Sequence, residues 1–278
     1  MAPRLTLAIL AFSVAAAPAA EPRFQWKTGQ TLTYRVAQST TAIETLAGKE
    51  PSVATVTTQL DLVKRWQVLA VDANGVATLQ MTLAKLRMET KPPSGAPMLF
   101  DSEKPKESSE QLRDEMAKYI GPPLTVVRID GHGKVVEVKE SKFGPASRLE
   151  CDLPFKITLP NAMPIAGQPW TRDYAIKFDP PQGTGESYDA VQTCVLKGVS
   201  GGLTVVGYKS TIKTMPETPA DRLPLLPLLF EGDVWFDAAN GRVRSVRAKV
   251  ERDIPEHRGE GSKYQFKSTY AEDLIDPK

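Results

Sequence analysis

The sequence holds little of what metal, redox and nucleophilic sites are usually built from. Its 278 residues include two histidines and two cysteines. With His132 and His257 alone, a three-histidine metal site is impossible, and neither a His-Glu-x-x-His nor a Cys-x-x-Cys spacing occurs. No metal and no cofactor are therefore expected. An excess of one charge is missing too, since 35 lysines and arginines stand against 33 aspartates and glutamates. Such a chain carries no electrostatic footprint for nucleic acid. The basic stretch Arg242, Arg244, Arg247, Lys249 and Arg252 reads as the solvated face of a strand, because Val246, Ala248 and Val250 alternate within it and Glu251 and Asp253 dilute its charge. Beyond the first twenty residues no long apolar run appears, so no membrane-spanning helix is expected there.

Residues 1–19 are the exception. Arg4 precedes the uncharged apolar run Leu5 to Ala16, and Ala17-Pro18-Ala19 places small residues where a signal peptidase cuts. The expectation is an exported protein, periplasmic or extracellular, soluble once the signal is removed. No cysteine follows the cleavage point, which argues against a lipid anchor. In an oxidising compartment Cys151 and Cys194 are candidates for a disulfide. Closing a loop of about 44 residues would contribute roughly 4 kcal/mol in the chain-entropy model. The alternative is a pair of buried free thiols.

The rest of the chain alternates polar and apolar residues in short segments broken by 23 prolines and 19 glycines. Leu32, Tyr34 and Val36 share one face of a strand, as do Val56, Thr58, Leu60 and Leu62. Asp72-Ala73-Asn74-Gly75, Gly131-His132-Gly133 and Asn240-Gly241 each separate two such runs, as hairpin turns needing positive φ do. The pattern predicts a mainly β protein of curved antiparallel sheet. Gly29-Gln30 and Gly167-Gln168 open comparable stretches, each ending in an Asp-plus-Gly hairpin, which suggests two similar meander units. Residues 20–148 would form the first, with a helical insertion at 108–120. Residues 149–164 would connect it to the second, 165–278, the whole packing as one body. Chance likeness between two turn-rich meanders remains the other reading.

Two segments depart from this alternation. Ser108 to Gly121 reads as an amphipathic helix lying on the sheet, with Leu112, Met116, Tyr119 and Ile120 on one side, Ser108 and Gln111 as a capping pair, and Gly121-Pro122-Pro123 as its stop. Leu223 to Phe230 is strongly apolar but broken by Pro224 and Pro227, which bar a regular helix or central strand. It fills the core as an irregular plug, or it covers a cavity. Leu112, Met116, Tyr119, Leu226, Leu229 and Phe230 are accordingly the candidate ligand-lining residues.

Catalytic signals are sparse. Gly198-Val199-Ser200-Gly201-Gly202 matches Gly-x-Ser-x-Gly, and His257 follows, but the strand-to-helix turn that such a nucleophile needs is replaced by the strand-like Leu203 to Val206. A serine hydrolase using Ser200 and His257 is thus a remote alternative, and no catalytic residue is assigned. Phe24-Gln25-Trp26-Lys27-Thr28-Gly29 resembles the opening strand of a group of exported bacterial proteins of unknown function, which implies a compartment and no activity. The architecture resembles that of LolA/LppX-type periplasmic lipoprotein carriers, in which helices and loops close a curved sheet over an apolar cavity. The reading is a non-enzymatic exported binding protein whose partner is an apolar small molecule or lipid. Its alternative is an envelope structural or protein-interaction module with no small ligand.

Overall fold

In the computed structural model, residues 22–48, 51–142, 144–162, 164–180 and 183–275 are described. The proposed signal, residues 1–19, lies outside them. Strands make up 56% of the protein and helices 10%. The first half contributes β1 (Thr31–Leu46), β2 (Ser52–Val71), β3 (Ala77–Lys91), β4 (Met98–Asp101), β5 (Pro123–Ile129) and β6 (Val135–Ser141). The second contributes β7 (Pro169–Phe178), β8 (Glu186–Ser200), β9 (Leu203–Ile212), β10 (Glu231–Asp237), β11 (Arg242–Pro255) and β12 (Lys263–Ile275). All belong to one antiparallel sheet in the order β6-β5-β3-β2-β1-β12-β11-β10-β9-β8-β7, with β4 paired to β3.

The order has a simple logic. The first meander runs outward from the centre to one edge, and the second starts at the other edge and returns to lie beside β1. The join is long: β1 and β12 pair from Thr33↔Ile275 to Thr45↔Lys263. Because side chains alternate across a strand, this register places Tyr34 beside Leu274, Gln38 beside Tyr270 and Ala42 beside Phe266 on one face. That face carries the core. The opposite face carries Arg35, Ala37, Ser39, Thr269 and Ala271.

The chain must then cross from β6 at one edge to β7 at the other. It does so over the core face, through α2 (Ser147–Cys151) and an irregular stretch in which Leu153, Phe155, Ile157 and Leu159 are all buried. The connection expected at 149–164 is therefore also the filling of the sheet. Phe155 is the centre of an aromatic cluster, with ring centroids 5.5 Å from Phe24, 5.5 Å from Trp26, 6.2 Å from Tyr34 and 5.8 Å from Trp66.

Phe24 and Trp26 stack at 5.3 Å. Their segment stitches the two halves together: Phe24 N donates to Gly131 O at 2.8 Å and Gln25 N to Gly241 O at 3.0 Å. Two hairpin turns, one from each half, thereby meet at one end of the sheet. Glycine is needed at Gly133, whose φ is 84° and where a Cβ would come within 2.5 Å of Phe24 Cε2.

The insertion helix differs from expectation in extent and in capping. Helix α1 covers Glu110–Ala117, and no side chain of it is fully buried. Ser108 does not cap it. Ser108 Oγ instead accepts from Asp101 N at 2.8 Å and Ser109 Oγ from Leu99 N at 3.0 Å, fastening the helix to β4. The Pro-Leu segment forms a 3-10 run over Pro219–Leu228 that packs on β11. Its internal prolines, Pro224 and Pro227, remove the backbone donors that a regular α-helix would need.

Candidate functional site

Two expected groupings come apart in the structure. Leu112 and Met116 lie on α1, with Tyr119 in the turn just after it; α1 packs against β4 on the β3 side of the sheet, whereas Leu226, Leu229 and Phe230 lie over the other half. Leu226 and Leu229 are buried in a cluster with Ile176, Ala190, Ile212, Val250, Ile254 and Phe266. Phe230 packs edge-on against Tyr270 at 6.1 Å. Ser200 closes the β8–β9 hairpin, paired with Leu203, at the end of the sheet where β10 turns into β11. His257 follows β11 at the opposite end, its side chain buried, with Nε2 2.9 Å from Glu44 Oε1. These two cannot share a proton, so the Ser200–His257 hydrolase is excluded by geometry.

The expected disulfide is not formed: Cys151 and Cys194 are free thiols. Each belongs to a different apolar cluster, Cys194 with Val206 and Tyr208, Cys151 with Ile176 and Leu228. The Cys151 thiol turns back to donate to Arg148 O at 3.2 Å. Burial pushes the Cys151 thiol up to about 11, with the Asp152 charge adding to it, and pushes Cys194 up to about 12. Arg172 ties α2 to β7 by donating to Glu150 O at 2.7 Å and Cys151 O at 3.2 Å. Its guanidinium also lies 4.3 Å from the centre of the Tyr174 ring.

This tie leaves a pocket of about 310 Å³ between α2, β7 and the Pro-Leu segment. Ile176, Phe178, Pro224, Pro227 and Leu228 make it apolar, and Cys151 forms part of its wall. Arg148 and Lys177, both exposed, stand at its rim. Ligand pockets begin at roughly this size, about 300 Å³, and combine an apolar lining with a few polar groups. Sequence reasoning singled out Leu226 and Leu229 but missed Ile176, Phe178, Cys151 and Leu228. Alternation along β7 could have indicated Ile176 and Phe178; nothing local shows that α2 would approach them.

A larger depression, about 980 Å³, lies across the outer face from β2 to β8. Its floor is of small residues such as Ala37, Gly207 and Ala271, and its walls are charged. Four of those charges form two ion pairs: Lys197 Nζ is 2.5 Å from Asp233 Oδ1 and Lys209 Nζ 3.1 Å from Glu231 Oε2. Exposed pairs of this kind are ordinary for a solvated sheet face. Among the described residues no cluster of histidine, cysteine, aspartate or glutamate could hold a metal ion, and no helix is long and apolar enough to cross a membrane.

No protein-family model and no curated protein matches the chain. Among solved structures it is similar to one described as lipid-protein interactions in lipovitellin, at 13% identity and a TM-score of 0.44, over 90% of this chain and 25% of that one. It is also similar to the COG4313 outer membrane channel from Pseudomonas putida F1, at 9% identity and a TM-score of 0.30, over 94% of this chain and all of that one. A DUF1329 family protein from Desulfovibrio piger follows at 12% identity and a TM-score of 0.13, over 90% of this chain and 85% of that one. The chain thus spans about a quarter of the lipovitellin chain. Scores this low carry no statement about ligand or activity.

Proposed function

We propose that this is an exported binding protein that holds a small apolar or amphipathic molecule, and that its site is the pocket between α2, β7 and the Pro-Leu segment. The observation that carries the reading is an apolar pocket of about 310 Å³ walled by an irregular, proline-broken cover rather than by sheet alone. Much of the core face is already occupied by Leu153, Phe155, Ile157 and Leu159, so the site is a side pocket and not the whole hollow of the sheet. Of the residues expected to line it, Leu226, Leu229 and Phe230 act behind the cover, holding it on the sheet.

The alternative of an envelope interaction module has less support from the edges. Edge strand β6 carries Glu137, Lys139 and Glu140, and β7 opens with Pro169 and carries Lys177. Charged side chains and proline discourage strand addition at an edge.

Native mass spectrometry of the protein purified from its own host tests the reading. The expected result is an added mass that extracts into organic solvent and is lost in Leu228→Trp, which fills the pocket. A bare mass, with no saturable uptake of decanol by the wild type, overturns it.

A further inference from the structure

Behind the apolar pocket lies a much smaller cavity of about 20 Å³. The two share Cys151, Pro227 and Leu228. The inner cavity differs in chemistry, for Asp152, Lys156, Gln192, Tyr208 and Ser210 contribute to its wall. Two polar atoms there, Gln192 Oε1 and Tyr208 Oη, are buried without a hydrogen-bond partner among the described residues. Their residues are only 4% and 6% exposed. Leaving a buried polar atom unmet costs roughly 1–3 kcal/mol. Two on one cavity wall mark a place where another group belongs. A space of this size admits a single water-sized group.

The donors and acceptors narrow what that group is. Gln192 Nε2 donates to Lys156 O at 2.8 Å, which sets the orientation of the amide and leaves its acceptor, Oε1, as the unmet atom. Tyr208 Oη both donates and accepts. A hydroxyl satisfies both, donating to Gln192 Oε1 and bonding Tyr208 Oη. A carboxylate has no proton for Gln192. Asp152 and Lys156 on the same wall are paired with each other at 2.6 Å, so together they offer the head group no net charge. The cations at the rim do not reverse this choice, because an exposed charge in water gains little from a counter-charge.

We propose that the two cavities form one site that takes a single-chain alcohol head inward. Its hydroxyl lies between Gln192 Oε1 and Tyr208 Oη, and its hydrocarbon chain passes Leu228 into the apolar pocket. This assignment rests on the pocket being the ligand site, as argued above.

Calorimetric titration of the wild type, Gln192→Leu and Leu228→Trp with decanol and with decanoate at neutral pH tests it. The expected result is that the wild type prefers decanol by about tenfold or more, the worth of one buried hydrogen bond. Gln192→Leu loses that preference, and Leu228→Trp binds neither compound. Equal or tighter binding of decanoate by the wild type, or a Gln192→Leu variant that keeps the preference, overturns the head-inward assignment while leaving the pocket standing. Unchanged binding in Leu228→Trp, or no saturable binding of either compound to the wild type, overturns the pocket and the assignment together. Circular dichroism shows whether each variant is folded. Gln192→Met replaces Gln192→Leu if that variant is not, and the decanol-to-decanoate ratio of the wild type decides between head groups without either.

Discussion

Phe24 and Phe155 meet with ring centroids 5.5 Å apart, although one precedes the central strand and the other belongs to the crossover between the two edges. Their contact joins the three parts of the fold, because the Phe24 backbone also bonds to the β5–β6 turn and its neighbour Gln25 to the β10–β11 turn. Phe155→Ala is therefore expected to destabilise the protein by about 3–5 kcal/mol, the usual cost of emptying a buried aromatic site. Urea unfolding measures it. Combined with Phe24→Ala, the loss should be less than the sum of the single losses, since both remove one shared contact.

Gly133 and Gly75 form a matched pair. Both have positive φ, 84° and 78°, but a Cβ at Gly133 meets Phe24 Cε2 at 2.5 Å and Ile157 O at 3.1 Å, whereas one at Gly75 meets nothing within 4 Å. Gly75→Ala should cost about 1 kcal/mol for backbone strain alone. Gly133→Ala should cost clearly more, because Phe24 must move. Equal melting temperatures for the two variants would sink this account of the turn.

The thiols should be present but slow to react. Ellman titration in denaturant without reductant is expected to find both cysteines free. In the folded state, with Cys151 pushed up to about 11 and Cys194 to about 12, the thiolate fraction at mildly alkaline pH is very small. Alkylation by iodoacetamide should therefore accelerate sharply on unfolding, which mass spectrometry after timed quenching detects. Rapid labelling of Cys151 in the folded protein would contradict the packing of α2.

Asp152 sets a pH dependence. Desolvation by itself would raise its carboxyl, but the Lys156 charge and hydrogen bond, with Arg148 and Lys64 further off, hold it below the ordinary carboxylate value. A carboxyl lowered in the folded state stabilises above its unfolded pKa, about 3.9, and loses that contribution as pH falls through the lower folded value. Asp152→Asn should accordingly be less stable than the wild type at neutral pH. The gap should close in acid below about pH 4, as followed by thermal melts across pH. A gap that is constant with pH would assign the effect to packing instead of charge.

Much of the fold is legible in the residues because strand alternation and turn chemistry are local. Leu32, Tyr34 and Val36 declare a half-buried strand, and Asn74-Gly75 and Asn240-Gly241 declare hairpins, whatever the rest of the chain does. The apolar character of the Pro-Leu segment is equally local. Less legible is the helix start, where Ser108 and Ser109 bond to β4 across a turn that no spacing rule describes.

Residues 149–164 read as a mere connection, although Leu153, Phe155, Ile157 and Leu159 alternate as a buried strand would. Alternation tells that one face is covered, not by what. The cover follows from topology: a chain that must travel from β6 to β7 across an open sheet lays its apolar face on the core.

By itself the sequence determined the strands, the turns, the lack of metal-ligand spacing and the two segments that break the β pattern. Only the tertiary structure decided that the crossover fills the sheet, that Cys151 and Cys194 stay apart, that Ser200 and His257 lie at opposite ends, and that Gln192 and Tyr208 share a cavity wall. The division is physical. Local conformation depends on near neighbours along the chain, whereas burial and partnership depend on which distant strands the closing of one large sheet brings together.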